Sequence, residues 1–272
     1  MRYIFFGGKE SQFANIILDK LTKAGMAPIE AVGSAKAPLD PEHLKSLNAD
    51  FFLVAAFGKI LKKDILDIPP KGVIGVHPSL LPKYRGASPI QSAILNGEKE
   101  TGTAIFIIDE KVDHGPIIAM KKLPIESSDT YQTLMEKLAH LSASLILTTV
   151  PNWLNNGIKP EIQDEAEATY TKKFTPEDAK ISPIGLMEPI GPMNARRIWL
   201  KIRALNPEPG TYSVLKLKNG KDLRLKILKS DLTDNRLKIL EVQPEGKKAM
   251  KLKDFLNGYG KNLANDDLKN LS

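Results

Sequence analysis

In the first 150 residues of the chain, short apolar runs alternate with segments that have helical periodicity. Strands are predicted for the apolar runs at residues 3–6, 27–32, 51–57, 73–76, 103–108 and 117–120. Between them, apolar residues at helical spacing and local capping patterns predict helices at residues 11–24, 41–47 and 89–96. Strands that alternate with helices in this way predict an α/β domain built on a mostly parallel, Rossmann-like sheet.

A longer helix is predicted to start near residue 129. Its buried face is predicted from leucines at helical spacing, which are Leu134, Leu138, Leu141 and Leu145. Pro151 is expected to end or kink this helix, because a proline removes one backbone hydrogen bond and clashes with the preceding turn. The polar, proline-rich stretch at 156–192 is interpreted as a linker between a catalytic domain at 1–155 and a second domain at 193–272.

The second domain begins with a helical pattern at residues 193–205 and continues as strand-like sequence. Leucine and isoleucine alternate with basic residues on either side of an Asn-Gly turn at 219–220, which predicts a β-hairpin. One face of the hairpin is therefore predicted to be apolar. The other face is predicted to be basic, through Lys216, Lys218, Arg224 and Lys226.

Charge is distributed unevenly along the chain. Residues 171–272 contain 21 Lys and Arg against 12 Asp and Glu, whereas residues 1–170 contain 18 against 20. Basic groups bind phosphates by releasing counterions, so this asymmetry favours a nucleic-acid-binding module attached to a near-neutral domain. A basic surface that is merely solvated is an equally open alternative.

The remaining composition limits the possible chemistry. The 272 residues include no cysteine and four scattered histidines, which excludes disulfides and thiolate metal sites and gives no spacing typical of metal ligands. The longest apolar run is too short to span a bilayer, and the amino terminus lacks the pattern of a signal peptide. We therefore expect a cytoplasmic protein without a bound metal.

A histidine follows the predicted strand at residues 73–76. Open α/β sheets bind ligands at the carboxyl ends of their strands, so His77 lies where a catalytic residue is expected, at the start of a proline-bounded loop. The alternative is a hydrogen-bonded structural histidine, which a single histidine more often is. The strand and the loop alone leave both possibilities open.

Two motifs in the chain resemble those of a known family. Residues 77–82 (His-Pro-Ser-Leu-Leu-Pro) and 84–91 (Tyr-Arg-Gly-Ala-Ser-Pro-Ile-Gln) together resemble the signature of the formyltransferases that use 10-formyltetrahydrofolate. Residues 109–118 are similar to that family's second motif, whose aspartate falls on Asp113. Segments at 201–207 and 241–248 look like motifs of the C-terminal β-barrel of the methionyl-tRNA formyltransferases.

The resemblance implies a Rossmann-like catalytic domain, a small OB-like β-barrel, and formyl transfer from 10-formyltetrahydrofolate to initiator methionyl-tRNA. His77 would donate to the negatively charged oxygen of the tetrahedral intermediate, and Asp113 would orient His77 or relay protons. The folate-binding residues would be Phe57, Gly58, Ile60, Leu61, Ser79, Leu80, Leu81 and Pro82. The basic face of the hairpin would bind the tRNA of a monomeric enzyme.

The chain departs from the family pattern in two places. The family has an asparagine two residues before the histidine, and this chain has Gly75, so an amide donor to the oxyanion is missing. His114 is a candidate to replace it. Between residues 32 and 44 the chain is also shorter than the family, which there carries a loop resembling a clamp for the tRNA acceptor end.

Two alternatives to the main hypothesis follow. A sugar-nucleotide N-formyltransferase would share the folate motifs but would need no basic module for tRNA. A tRNA-binding protein whose transferase site has decayed would be explained by the change at Gly75.

Overall fold

The computed structural model describes residues 1–34, 38–183 and 191–264. Its contacts divide the chain into two compact units. Unit 1 consists of Met1–Ile90, Lys99–Ser127 and Thr133–Lys172, and unit 2 of Gln91–Glu98, Ser128–Gln132 and the residues from Lys173 onward. The domain boundaries expected from the sequence stay a prediction, and parts of the linker and of the second domain, at 184–190 and 265–272, lie outside the described residues.

Unit 1 contains a six-stranded sheet in the order β2-β1-β3-β4-β6-β7. The strands are β1 (Tyr3–Gly7), β2 (Glu30–Val32), β3 (Phe51–Ala55), β4 (Val73–His77), β6 (Glu100–Ile107) and β7 (Ile117–Pro124). Neighbours among the first four in this order are parallel, whereas β6 is antiparallel to both β4 and β7. The Rossmann-like, mostly parallel sheet expected from the apolar runs is confirmed.

A second, two-stranded parallel sheet in unit 1 joins β5 (Arg85–Gly86) to β8 (Tyr170–Thr171). β5 belongs to the loop that follows His77, and β8 belongs to the stretch interpreted as a linker. Residues distant in the sequence are therefore tied to the loop that carries the first motif.

Helices flank the strands largely where the periodicity predicts them. They are α1 (Gln12–Lys23), α2 (Pro41–Ser46), α3 (Lys63–Leu66), α4 (Pro89–Leu95), α5 (Tyr131–Leu154), α6 (Pro176–Ala179), α7 (Pro192–Leu205) and α8 (Leu252–Tyr259). α1 begins after Ser11, whose hydroxyl accepts from the Ala14 N–H and so satisfies a backbone donor that the first turn cannot pair. No helix in the three described ranges is long and apolar enough to cross a membrane.

Helix α5 contains Pro151, which was expected to end or kink it. The helix continues through Pro151 to Leu154, so an end at Pro151 is wrong and a kink stays a prediction. Trp153 packs edge-on against Phe51 of β3 with their ring centroids 6.2 Å apart. The predicted buried face is also corrected. Leu141 and Leu145 are only half-buried. The core face follows the 3.6-residue helical repeat through Leu134, Met135, Leu138, Ala139, Ser142, Ala143 and Ile146.

Unit 2 is built on an antiparallel sheet in the order β12-β11-β10-β9. Its strands are β9 (Tyr212–Lys216), β10 (Asp222–Thr233), β11 (Arg236–Pro244) and β12 (Met250–Lys251). Leu215, Leu225 and Ile227 of the predicted hairpin contribute to one core cluster with residues of α7 and α8. The sheet is consistent with the small barrel-like domain expected. The strand-like prediction for the end of the chain is wrong at residues 252–259, which form helix α8. Phe255 of this helix is fully buried.

Candidate active site

His77 is the last residue of β4, a strand hydrogen-bonded to neighbours on both sides. β3 runs parallel to β4, so the residues that follow β3 lie at the same edge of the sheet as His77. The His77 side chain is only 7% exposed. A polar ring so deeply placed needs partners for its nitrogens.

The two nitrogens of His77 face two acceptors. Nε2 lies 2.8 Å from the Tyr84 carbonyl oxygen, and Nδ1 lies 3.5 Å from Oδ2 of Asp113. A carbonyl oxygen only accepts, so Nε2 carries a proton and donates it to Tyr84. The Nδ1 to Oδ2 distance exceeds that of a good hydrogen bond. Nδ1 is therefore the nitrogen that remains for chemistry.

Asp113 reaches His77 from an unexpected direction. β6 is antiparallel to β4, so the loop after β6 starts at the opposite edge of the sheet and must fold back to bring the carboxylate to His77. The Gly86 N–H donates to Asp113 Oδ2 at 2.7 Å. Gly115 allows the loop to close, because a Cβ there would lie 1.8 Å from the Ile107 carbonyl oxygen.

Arg85 is fully buried beside this pair of loops. Its guanidinium donates to both carboxylate oxygens of Glu165, at 2.6 and 3.1 Å, and to the Tyr170 hydroxyl at 3.0 Å. Donating this hydrogen bond to Glu165 raises the pKa of Arg85, and accepting it holds the pKa of Glu165 below its usual value. The buried charge is thus paired, which is the condition for tolerating it.

Gln163 joins Arg85 to the Asp113 loop. Its amide oxygen accepts from Arg85 Nε at 3.1 Å and from Nη2 at 2.8 Å, and its amide nitrogen donates to the carbonyl oxygens of Asp113 and Gly115, at 2.9 and 2.7 Å. Sequence reasoning missed this residue, because it lies in the stretch interpreted as a linker. A polar residue that bonds to distant loops leaves no periodic trace in the sequence.

The Arg85–Glu165 pair gives a pH-dependent stability. A carboxyl group whose pKa is lowered on folding stabilises the folded state above its unfolded pKa, and that contribution is lost as the pH falls through the lower, folded value. Glu165→Gln should therefore be less stable than the wild type at pH 7, and the difference should shrink at pH 3. Urea unfolding at both pH values measures this difference in the free energy of unfolding.

Glu167→Gln, which changes an exposed glutamate in the same turn, is the matched control. An equal difference at both pH values would contradict the prediction.

The predicted folate residues fall into two groups. The side chains of Phe57, Leu61, Ser79 and Leu81 are buried. Those of Phe57 and Leu61 pack in the core beside β1 and β3, and the Ser79 hydroxyl donates to the Lys83 carbonyl oxygen at 2.6 Å.

The other predicted folate residues are exposed or half-buried. Ile60 is 71% exposed, Gly58 is exposed, and Leu80 and Pro82 are half-buried. Gly58 has a φ of +74°, which favours glycine. Among the described residues, apart from its chain neighbours, none comes within 4 Å of a Cβ built on Gly58. On the segment that follows β3, the backbone at Gly58 and the apolar side chain of Ile60 are thus accessible.

At Gly75 the space for a larger side chain is already occupied. Gly75 is paired with Phe106 on β6, and a Cβ at position 75 would lie 2.6 Å from the Phe106 ring and 3.0 Å from Ile108. His114, the candidate to replace the missing amide, has Nδ1 2.6 Å from Asp109 Oδ2 and Nε2 3.5 Å from Glu165 Oε1, and its role stays a prediction. Both of its ring nitrogens face carboxylates.

Three of the four basic residues predicted for one face of the hairpin share a face in the structure, and two of these three also interact within the hairpin. Lys216, Arg224 and Lys226 are exposed and share one face by their register in β9 and β10. Lys216 is paired with Asp222 at 2.5 Å, and the Arg224 guanidinium lies 3.7 Å from the centre of the Tyr212 ring. Lys218 lies beyond β9 and is also exposed.

Comparison with known proteins identifies relatives of the whole chain. A family model described as Formyl transferase matches residues 14–150. A methionyl-tRNA formyltransferase of Dictyoglomus turgidum is 35% identical over 317 aligned residues, covering 97% of this chain and 98% of that protein. The alignment is 317 positions long and this chain has 272 residues, so some residues of the relative have no counterpart in this chain. The region at 32–44 is a candidate for one such gap, with residues 35–37 outside the described ranges.

Solved structures share the fold. The methionyl-tRNA formyltransferase from Clostridium thermocellum has a TM-score of 0.65 at 20% identity and covers 92% of this chain and 99% of that chain. HypX from Aquifex aeolicus in complex with tetrahydrofolic acid has a TM-score of 0.70 at 14% identity and covers 96% of this chain and 48% of that chain.

Proposed function

The chain belongs to the formyl transferase family, and we propose that it transfers a formyl group from 10-formyltetrahydrofolate to the amino group of initiator methionyl-tRNA. The observation that carries the proposal is the position of the Asp113 carboxylate, 3.5 Å from Nδ1 of His77 at the carboxyl end of β4. Support for the tRNA substrate comes from a relative of that name aligned along 97% of the chain, and from the basic hairpin. The proposal includes a monomer acting in the cytoplasm.

Asp113 is the proposed acceptor of the proton that the attacking amine loses, directly or through a water molecule. Its side chain is 21% exposed, so a substrate can reach it, and the Gly86 N–H fixes one of its oxygens. His77 donates from Nε2 to Tyr84, so its proposed donor to the formyl oxygen is Nδ1. Because Nε2 already holds a proton, Nδ1 can donate one only when the His77 ring carries both protons and is positively charged.

The described residues fit the co-substrate. Bound 10-formyltetrahydrofolate would supply the formyl group and the leaving nitrogen, which takes up the proton that the attacking amine has lost. The open space at Gly58 and the exposed side chain of Ile60 offer backbone and apolar surface to a flat ring. Leu80 and Pro82, half-buried in the loop after His77, would complete this surface. The buried Phe57, Leu61, Ser79 and Leu81 would act by shaping the two loops.

One assay tests the proposal against both alternatives. The purified chain is mixed with 10-formyltetrahydrofolate and either charged initiator tRNA or an amino-sugar nucleotide. We expect formyl-methionyl-tRNA as the product. Product formed only from the amino sugar would favour the sugar N-formyltransferase, and tRNA binding without turnover would favour the decayed site.

Changing Lys216, Lys218, Arg224 and Lys226 to glutamine should weaken tRNA binding. The slope of log K against log salt should flatten by about 0.7 to 0.9 for each phosphate that the variant no longer neutralises. Removing Lys216 also leaves Asp222 without its partner, which adds repulsion toward phosphates. Filter binding at several salt concentrations measures both effects.

A control of equal charge change replaces exposed, ion-paired lysines of unit 1 with glutamine, namely Lys23, Lys45, Lys63 and Lys122. It should leave the salt slope close to that of the wild type. If the salt slope flattens equally in the two quadruple variants, the hairpin is only one part of a general basic surface.

A further inference from the structure

We propose that Gln163 is a positioning residue for Asp113, and that it fixes the Asp113 loop by linking it to the buried Arg85. The inference rests on the proposed function in one respect, the role of Asp113 in taking the amine proton. Nothing in the motifs points to Gln163, which lies 50 residues beyond Asp113 in the chain.

The Asp113 loop needs an external restraint. Asp113 has a φ of +47°, a left-handed conformation that residues other than glycine adopt at a cost. The loop must also fold back across the sheet to reach His77. A conformation of this kind persists only where surrounding contacts determine it.

Gln163 supplies that restraint on the backbone of Asp113 itself. Its side chain is buried, and its amide nitrogen donates to the carbonyl oxygens of Asp113 and Gly115, which flank the turn. Two hydrogen bonds from one amide group fix the distance between these carbonyls. The direction of the Asp113 carboxylate follows from the backbone so held, together with the hydrogen bond from the Gly86 N–H.

Arg85 fixes Gln163 in turn. The Nε and Nη2 groups of the guanidinium both donate to the Gln163 amide oxygen, which sets the amide orientation and directs its nitrogen at the Asp113 loop. Arg85 belongs to the second part of the motif that starts at His77, and its backbone pairs with Tyr170 in the β5–β8 sheet. The loops that carry His77 and Asp113 are thereby joined through one buried amide.

The variant Gln163→Glu keeps the acceptor for Arg85 and removes the donor to the Asp113 loop. The introduced carboxylate has almost the same shape and still accepts from Arg85, but it cannot donate, and it places negative charge against two carbonyl oxygens. We expect kcat to fall about tenfold to a hundredfold, since a misplaced catalytic group costs that much, with KM for both substrates nearly unchanged. Gln163→Met, which removes both functions without adding charge, should show a fall in kcat of the same order.

Tyr170→Phe is the matched control. It removes another hydrogen-bond partner of Arg85 without touching the Asp113 loop. Its kcat should equal that of the wild type. If Tyr170→Phe loses as much kcat as Gln163→Glu, or if both Gln163 variants keep the kcat of the wild type, the positioning role is wrong.

Hydrogen–deuterium exchange tests the inference independently of turnover. Amides of residues 109–115 should exchange faster in Gln163→Glu and in Gln163→Met than in the wild type or Tyr170→Phe. Unchanged exchange in both Gln163 variants would overturn the inference, whatever their activity. If the wild type itself forms no formyl-methionyl-tRNA, the proposed function fails, and the exchange rates still decide whether Gln163 holds the loop.

Discussion

Replacing His77 with alanine should reduce kcat by about a hundredfold to ten-thousandfold, the range expected when a proton-handling group is lost from a site. Nδ1 of His77 is the proposed donor to the formyl oxygen, whereas both ring nitrogens of His114 already face the carboxylates of Asp109 and Glu165. Single-turnover formylation of initiator methionyl-tRNA measures the loss.

Asp113→Asn is the companion variant, because it is the less disruptive of the two. The asparagine oxygen can still accept from the Gly86 N–H, so the loop keeps its hydrogen bond while the side chain loses its ability to take a proton. His77→Ala, in contrast, removes the hydrogen bond from Nε2 to the Tyr84 carbonyl oxygen, which is expected to cost about 0.5–1.5 kcal/mol of stability. Thermal melting of both variants therefore accompanies the kinetics.

Retention of tRNA binding separates a catalytic effect from a folding effect. Both variants should bind methionyl-tRNA as the wild type does, since the basic hairpin lies in unit 2. His140→Ala, an exposed histidine on α5, is the control and should keep its full rate. If His77→Ala and Asp113→Asn both turned over at the wild-type rate, the active site would have been placed wrongly.

The sequence predicted those parts of the site that depend on local pattern. The apolar run of β4 ends at a histidine, and burial of the strand on both faces is visible in its apolar composition. The loop that carries Asp113 was identified by its motif alone. Its approach to His77 from an antiparallel strand was not predictable, because strand direction depends on pairing between distant segments.

The contacts around Arg85 show the same limit more sharply. A fully buried arginine is unusual, and its sequence position in a polar loop gives no sign of burial. Its partners Gln163 and Glu165 lie 78 and 80 residues away, in a stretch whose prolines and charges favoured a linker. Periodicity reports which face of an element is apolar, but it does not report which distant side chain pairs with a buried charge.

The asparagine-to-glycine departure predicted from the sequence at Gly75 stays a prediction, but the structural setting of Gly75 changes the expected result of introducing asparagine there. The Phe106 ring occupies the space that a side chain at position 75 would need. Phe106 is 3% exposed and packs with Leu81, Ala104 and Ile117, so it has little room to move. Gly75→Asn alone should therefore lower stability by about 1–3 kcal/mol through overpacking, without a gain in kcat.

Combining Gly75→Asn with Phe106→Leu should reverse that outcome. Leucine lacks the ring atoms nearest to the new Cβ, so the double variant should regain part of the stability lost in Gly75→Asn, as expected for residues in contact. An amide beside His77 would stabilise developing charge on the formyl oxygen, and a tenfold rise in kcat would correspond to about 1.4 kcal/mol. Thermal melting and single-turnover rates of both single variants and the double variant measure the coupling. Phe106→Leu alone is the control, because it loosens the core without adding a donor. The double variant could melt at the same temperature as Phe106→Leu and react no faster than it. In that case an amide at position 75 does not assist formyl transfer in this protein, and Gly75 packed against Phe106 belongs to an active site that functions without that amide.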